Sequence, residues 1–334
     1  MSDILTDVDA VQERVGKLAG ARDMKVIDFL DPHAKRWLSL SSLIFLAFGD
    51  EQSLCMTLGG GSAGFVEADD ERSLRVPLAL LEAPRLAAEG MAFGSLSLVP
   101  GMTETLRING RVKSVQDSCL ALTVEECYLH CGKALLRSDF WAPQTTHEIS
   151  DENANLIPQS RLMALATISA NGQVDVSPKG DPAGALLQED AGNLWYPDRP
   201  GNRRIDSFRN IVERPDVAVI ALAPGCQQFL EVTGSAAIST DESQLKAFEV
   251  QGKQPKLVTR IEVKQMAIKN SKAMADAALW PVTTSADINS AEIFKSHVKL
   301  SKERGLGASI TRTIVSVPGL LKRSLDSDYK DNMY

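Results

Sequence analysis

The chain has 334 residues, of which 44% are hydrophobic and 24% charged, and its formal net charge at pH 7 is −7. An acidic chain of this kind is not expected to bind nucleic acid in general, because such binding needs a basic face. It has no run of about 18 apolar residues and no basic, apolar leader, so we expect no membrane association and a cytoplasmic location. At roughly 150 residues per domain, the length predicts two domains.

The cysteines predict reduced thiols rather than a disulfide framework, because they are odd in number and irregularly spaced. They are Cys55, Cys119, Cys127, Cys131 and Cys226. Cys127, His130 and Cys131 lie close together in sequence, but a tetrahedral metal site needs a fourth ligand and no second Cys/His cluster is present. We therefore expect no metal site.

In chain order, residues 1–37 have helix-like apolar spacing and predict a helical lead-in to the first module. Residues 38–141 carry short apolar or alternating runs broken by Gly, Asp and Pro, which are typical of antiparallel strands. Residues 142–158 are polar and predict a linker. Residues 159–281 repeat the strand pattern, and residues 282–334 predict a helical tail whose last residues are mobile.

Each module is also expected to contain a helix between its strands. In the second module, Asn202 is a candidate cap for a helix with an apolar face that includes Phe208 and Ile211, and Pro215 ends it. In the first module, residues 77–90 take this place and are interrupted by Pro84.

The two modules resemble each other in sequence. Residues 122–141 align without gaps on residues 261–280, and both segments keep a Lys-Ala pair and end in Trp. Only two copies of this length are present, which favours a duplicated domain over a solenoid.

The segment Tyr-Pro-Asp-Arg-Pro-Gly-Asn-Arg-Arg at residues 196–204 predicts an anion site. A strand ends there, a Pro/Gly turn follows, and Arg203 and Arg204 lie at the expected start of a helix, where guanidinium groups and free N–H groups converge. Lys179, at the end of an earlier strand, is expected to reach the same anion. The alternative is that the two arginines only solvate a helix end.

These motifs resemble a known family. SPKGDPAG followed by PDRPGNRR, and LRING followed by HCGKALLRSDFW, are similar to the signatures of the pyridoxamine 5′-phosphate oxidase-like, FMN-binding split β-barrel proteins. The resemblance covers about residues 38–281 in two copies. It implies a mainly β (α+β) fold of two tandem split barrels packed as an intrachain pseudo-dimer, with helical appendages at both ends.

In that family FMN lies in the groove between two barrels, and the resemblance assigns cofactor contacts accordingly. Those of the second barrel are Val174, Asp175, Val176 and Ser177 beside the ring, Lys179, Arg203 and Arg204 at the phosphate, and Asp198 and Asn202 at the ribityl chain. Those of the first barrel are Arg107, Lys133, Arg137, Ser138 and Trp141. Trp141 has core packing as its alternative role.

The resemblance also implies that the two groove sites differ. The first copy has Gly59 where the second has Lys179, so it lacks the phosphate-holding amine. The second copy has Glu231 and Asp276 where the first has Arg107 and Arg137, and these acids would repel a phosphate. We therefore expect one intact composite FMN site and one degenerate site in each chain.

The expected function is that of an FMN-dependent oxidoreductase acting on a small-molecule substrate or electron donor, such as NAD(P)H. No catalytic residue is assigned, and whether whole chains pair as a homodimer stays open. Two alternatives remain. One is a non-catalytic flavin sensor or carrier, and the other is a haem-binding or haem-degrading protein with His130 as the first candidate axial ligand.

Overall fold

Two antiparallel sheets form the centre of the protein. The computed structural model describes residues 3–16, 23–116, 118–142, 156–201, 203–282, 287–317 and 332–334. Helices in this part of the chain are short and flank the sheets, which confirms the mainly β fold class. Within the same residues, no helix is long and apolar enough to cross a membrane.

The lead-in contains strand β1 (Ile4–Leu5) and helices α1 (Val8–Val15) and α2 (Pro32–Leu38). Strand β1 pairs with the second sheet, where Ile4 lies opposite Ser239. Val11 of α1 is buried in the core of the second half, whereas Trp37 of α2 is buried in the core of the first. The lead-in is therefore shared between the halves and does not pack on the first module alone.

The first sheet follows the lead-in. Its strands are β2 (Leu43–Gly49), β3 (Leu54–Gly60), β4 (Glu67–Ala68), β5 (Ser73–Pro77), β6 (Ala92–Leu98), β7 (Thr105–Gln116) and β8 (Cys119–His130). They lie in the order β3-β2-β6-β7-β8-β5-β4.

The second sheet repeats this arrangement. Its strands are β9 (Leu162–Ile168), β10 (Val174–Gly180), β11 (Gln188–Asp190), β12 (Asn193–Pro197), β13 (Asp216–Leu222), β14 (Gln228–Ser239) and β15 (Val258–Asn270). They lie in the order β10-β9-β13-β14-β15-β12-β11, which is the order of the first sheet strand for strand. The common order supports the interpretation of the chain as a tandem duplication.

The remaining helices lie between or after the strands. They are α3 (Lys133–Arg137), α4 (Leu156–Gln159), α5 (Asp206–Glu213), α6 (Glu242–Ala247), α7 (Lys272–Ala277), α8 (Ser290–Leu300) and α9 (Leu306–Ser316).

Two expectations about helices need correction. Helix α5 begins at Asp206 and has Ile205 at its cap position, so Asn202 is not its cap, and Asn202 itself lies outside the described residues. In the first half, two 3₁₀ turns, Leu78–Leu80 and Pro84–Leu86, replace the expected helix. Pro84 has no N–H to donate and disfavours helical backbone in the residue before it.

Both faces of the central strands are buried, because each sheet packs on its own core and on the other sheet. In β2, Ile44, Leu46 and Phe48 point into the core of the first half, while the alternate residues Leu43 and Phe45 join a core shared by both halves. This period of two explains why the sequence of β2 is continuously apolar.

The two halves approach each other closely at two equivalent glycines. A Cβ atom on Gly180 of β10 would lie 2.2 Å from the carbonyl oxygen of Ala134 in α3. At the equivalent position in β3, a Cβ on Gly60 would lie 2.0 Å from the carbonyl oxygen of Ala273 in α7. Each half thus places a short helix directly against a strand of the other half.

Candidate functional site

A cavity of about 670 Å³ is lined by both halves of the chain, beside α3 and the ends of β10 and β12. This volume lies within the range typical of small-molecule and cofactor sites. Among the described residues, its basic side chains are Arg107, Lys133, Arg137, Lys179, Arg199, Arg203, Arg204, Lys253 and Lys256, and its acidic ones are Asp181, Asp198 and Asp206. The cavity is therefore strongly cationic although the whole chain is acidic.

Lys179, near the end of β10, lies beside two aromatic rings of the second half. Its Nζ lies 5.2 Å from the ring centre of Phe208 and 5.9 Å from that of Tyr196. It forms no hydrogen bond or ion pair with any residue that the structure describes. Burial lowers the pKa of Lys179, and the nearby carboxylate of Asp198 only partly opposes this effect. Because a charge that is partly removed from water without an ion-pair partner is costly, this half-buried ammonium favours an anionic ligand.

Arg203 and Arg204 reach the cavity from the turn that precedes α5. The Arg204 Nε donates to the carboxylate of Asp206 at 2.7 Å, and its guanidinium lies 5.0 Å from the ring centre of Tyr128. Arg203 has a left-handed backbone with φ of 61° and an exposed side chain. Both arginines therefore lie on the same cavity as Lys179, but the turn and not a helix end positions them.

Arg107 connects the first half to β10. Its side chain is buried, forms an ion pair with Asp175 and donates through Nη2 to the Ser177 hydroxyl at 3.0 Å. Its Nη1 also donates to the Tyr128 hydroxyl at 2.5 Å. Asp175 and Ser177 lie on one face of β10, whereas the alternate residues Val174 and Val176 point into the shared core. The side chains of these two valines do not line the cavity.

Helix α3 contributes Lys133 and Arg137 to the cavity wall. The Lys133 side chain is buried. The Arg137 Nε donates to the carbonyl of Gly180 at 3.0 Å, and its Nη1 donates to that of Pro200 at 3.0 Å. These bonds fix the position of Arg137 between the two halves.

Ser138 and Trp141 lie off the cavity. The Ser138 hydroxyl donates to the carbonyl of Leu135 at 3.0 Å, within α3 and its cap. The Trp141 Nε1 donates to the carbonyl of Met102 at 2.6 Å, and its ring contacts Phe140 edge to face at 4.9 Å. The structure thus gives Trp141 a packing role.

Several cavity residues were not predicted from the sequence: Asp181, Arg199, Lys253, Lys256 and Tyr334. The Arg199 Nε donates to the carboxylate of Asp181 at 2.7 Å, and Arg199 also donates to the carbonyl of Phe248 at 2.9 Å. Asp181 lies inside the SPKGDPAG motif and Arg199 inside PDRPGNRR, so their positions in these motifs could have identified them as site residues. Lys253, Lys256 and Tyr334 lie in segments without a motif.

His130 lines the cavity and is uncharged at neutral pH. Burial lowers the pKa of this imidazole well below its usual value, and the charges of Arg107 and Lys25 lower it further. Its buried Nδ1 has no hydrogen-bond partner among the described residues. Also in that part of the chain, no cluster of three or more His, Cys, Asp or Glu side chains has the geometry of a metal site.

The equivalent place in the first half is filled by protein. Gly59 holds the strand position that Lys179 holds in β10, and a Cβ there would lie 2.7 Å from the Leu81 side chain. The Glu82 carboxylate next to it accepts hydrogen bonds from the Ser271 hydroxyl at 2.6 Å and from the Ala273 N–H at 2.7 Å. An apolar side chain and an internally hydrogen-bonded carboxylate thus lie beside Gly59, where we expected the degenerate site.

Comparison with known families supports the resemblance seen in the motifs. Residues 149–275 match the sequence model of the family described as Pyridoxamine 5′-phosphate oxidase. This match confirms the family resemblance over residues 149–275. Among curated proteins, none matches the sequence at a significant level.

Three solved structures are similar to parts of the chain. HupZ from Group A Streptococcus is 22% identical, with 34% of this chain and 88% of that chain covered and a TM-score of 0.28. General Stress Protein 26 from Bacillus anthracis is 17% identical, with 34% and 87% covered and a TM-score of 0.27. HutZ, the heme storage protein from Vibrio cholerae, is 14% identical, with 39% and 99% covered and a TM-score of 0.27. With identities and TM-scores this low, these likenesses assign no function.

Proposed function

We propose, from the premise that residues 149–275 match the pyridoxamine 5′-phosphate oxidase family, that this chain is an FMN-binding flavoprotein with one site per chain. The observation that carries the proposal is the Lys179 ammonium, which is half-buried in a cationic cavity and has no ion-pair partner among the described residues. A phosphate is the group that such a site would bind, because it supplies charge and several acceptor oxygens.

In this proposal the phosphate contacts Lys179 and the turn with Arg203 and Arg204. Asp198 is left for the ribityl hydroxyl groups, which its carboxyl group can hydrogen-bond. Burial raises the pKa of Asp198, and the charge of Lys179 opposes that shift. Since Arg107 and Lys133 come from the first half, retention of FMN would depend on both halves.

The activity we propose is an FMN-dependent oxidoreductase whose substrate or electron donor is a small molecule, with NAD(P)H as the first donor to test. FMN, when bound, supplies hydride or electron transfer, and the protein supplies orientation and electrostatics. Arg137 would place a positive charge near the ligand. The neutral imidazole of His130 offers Nδ1 for a hydrogen bond to a substrate.

The first experiment is the visible spectrum of the purified chain, with the flavin released by heat and quantified. Bands near ~370 and ~450 nm and about one FMN per chain are expected for one bound flavin. Lys179→Met should lose most of the flavin while keeping the fold. Lys264→Gln is the matched control, because Lys264 is exposed, pairs with Asp216 and lies off the cavity. Equal FMN affinity in both variants would refute the site.

Haem is a second candidate, and the cavity position of His130 is the observation that favours it. A strong band near ~400 nm that disappears in His130→Ala would identify His130 as an iron ligand and replace the flavin proposal. If instead FMN is bound but neither NADH nor NADPH reduces it, the protein is a flavin carrier or sensor.

A further inference from the structure

The backbone of residues 332–334 lies against the cavity wall that α3 provides. The Lys133 Nζ donates to the carbonyl oxygen of Asn332 at 3.0 Å. The Arg137 Nη1 donates to the carbonyl oxygen of Met333 at 3.3 Å. Two cations that the family resemblance assigns to ligand binding are therefore engaged by neutral groups of the same chain.

Tyr334 continues this contact with residues of the second half. The Lys253 Nζ donates to its carbonyl oxygen at 3.3 Å, and the guanidinium of Arg199 lies 5.4 Å from its ring centre. Burial raises the pKa of the Tyr334 phenol, so the ring stays neutral at physiological pH. Residues 332–334 thus contact basic side chains of both halves, and the expectation that the last residues of the tail are mobile stays a prediction.

The chemistry of these contacts favours exchange for an anion. Three consecutive backbone oxygens accept hydrogen bonds from three cations, and those of Asn332 and Met333 are neutral peptide carbonyls. A carboxylate or phosphate oxygen forms a stronger bond with the same donors than a neutral carbonyl does, because both partners are then charged. The N–H group that each cation donates to the tail is not available to a ligand at the same time.

We propose that residues 332–334 are an internal stand-in for an anionic ligand and that Lys133, Arg137 and Lys253 form the subsite that this ligand takes over. The ligand class is a molecule with a phosphate or carboxylate group, supplied either by FMN or by the substrate. Binding of that group displaces the three residues, so the tail sets the affinity of the cavity. This inference rests on the proposed function, which makes the cavity a cofactor site.

The test reports on the tail directly, by ¹⁹F NMR of the full chain labelled with 3-fluorotyrosine. The sequence has four tyrosines, and Tyr334→Phe identifies the resonance of Tyr334 by its loss. We expect this resonance to move to the position of a solvent-exposed tyrosine when FMN or inorganic phosphate is added. Movement with FMN alone identifies the cofactor as the source of the anion. Movement only when phosphate is added after FMN identifies a substrate group.

A deletion of residues 332–334 gives the second readout. Removal of the competing carbonyls should tighten binding of FMN or phosphate by about tenfold, which corresponds to about 1.4 kcal/mol. Lys264→Gln is the control, since Lys264 is exposed and lies off the cavity, and it should bind as the unmodified chain does.

The outcomes separate this inference from the flavin proposal. If FMN binds while the Tyr334 resonance stays in place with both ligands and the deletion leaves the affinity unchanged, the stand-in is wrong and the flavin site stands. Weaker binding after the deletion also overturns it, because the tail would then be part of the site. If FMN binds to neither protein, the flavin proposal fails, and the phosphate titration alone decides whether the tail is displaced by an anion.

Discussion

Arg107 and Asp175 form a buried ion pair in which the first sheet supplies the guanidinium and the second sheet the carboxylate. Burial raises the pKa of Asp175, and the adjacent guanidinium opposes that shift. Arg107→Met leaves the carboxylate buried without this cation, so we expect a loss of about 3–5 kcal/mol in the free energy of unfolding. Urea denaturation at neutral pH measures it.

The same variant should show a characteristic pH dependence. With a folded-state pKa raised above its unfolded value, Asp175 favours folding when protonated, and that contribution is lost as pH rises through the folded-state pKa. The loss of stability in Arg107→Met should therefore shrink as the pH is lowered towards the pKa of a free carboxyl group. The double variant Arg107→Met/Asp175→Leu, which removes both charges, should recover stability at neutral pH. A deficit independent of pH and equal in both variants would contradict the ion-pair explanation.

Gly180→Ala and Gly60→Ala test the close contacts between the halves. In both variants the new methyl group meets a backbone carbonyl, at 2.2 Å from Ala134 and 2.0 Å from Ala273, so the helix must shift. We expect each variant to lose about 1–3 kcal/mol of stability. Only Gly180→Ala should also weaken binding of FMN, because Gly180 lines the cavity.

The control for this pair is Gly307→Ala in α9. A Cβ there would have no atom within 4 Å, and alanine favours helical backbone. Its thermal midpoint should match or exceed that of the unmodified chain. An equal loss of FMN affinity in both interface variants would show that the clash acts on the whole interface and not on the cavity.

Glu82→Ala tests whether the degenerate site is closed. Loss of the carboxylate removes the acceptor for Ser271 and for the Ala273 N–H, and we expect a destabilisation of about 1–2 kcal/mol. The flavin content should stay at about one FMN per chain, because Leu81 still covers Gly59 and no lysine replaces it. Heat release of flavin from the purified variant measures the ratio, and a value near two would contradict the closed site.

Asp28 links the first half to the segment that joins α8 and α9, through Arg72 at 2.9 Å and Lys302 at 2.6 Å. The hydrogen bonds from Lys302 and Arg72 lower the pKa of Asp28 from 3.8 to about 2. Its contribution to stability is thus present above pH 3.8 and is lost as pH falls towards about 2.

Asp28→Asn should therefore cost only about 0.5–1 kcal/mol at pH 7, because both basic partners are largely exposed. Thermal unfolding over an acid series measures the difference from the unmodified chain, which should vanish at the low end. A difference that persists at the lowest pH would mean that Asp28 stabilises the protein by packing and not by charge.

The sheets were predictable from the sequence because their signal is local. The runs at β2 and β9 are continuously apolar since both faces of each strand are buried, and the positions of Lys179, Arg203 and Arg204 followed from the strand and turn motif that carries them. The family resemblance assigned Arg107 to the site, and the structure places it on the cavity.

The remaining features depend on contacts that no local pattern encodes. The pairing of Arg107 with Asp175 requires the packing of one sheet on the other, and the residues around each of them in sequence give no sign of it. The start of α5 at Asp206 was missed because Asn202 is of a residue type that often caps helices. The residue at the cap position is Ile205, which forms no capping hydrogen bond with its side chain. Tyr334 reaches the cavity from 135 positions beyond Arg199, as their numbers show, and its segment has no periodicity.

Lys179 and Gly59 hold equivalent strand positions in one polypeptide, and each is specified by its own codon. In a pair of identical subunits one codon would determine both places, so a lysine on one side would require a lysine on the other, where a side chain meets Leu81. A single chain with both sheets is free of this constraint. Mutation can therefore keep the lysine at one position while Leu81 closes the equivalent position, so that the two halves of one molecule can diverge.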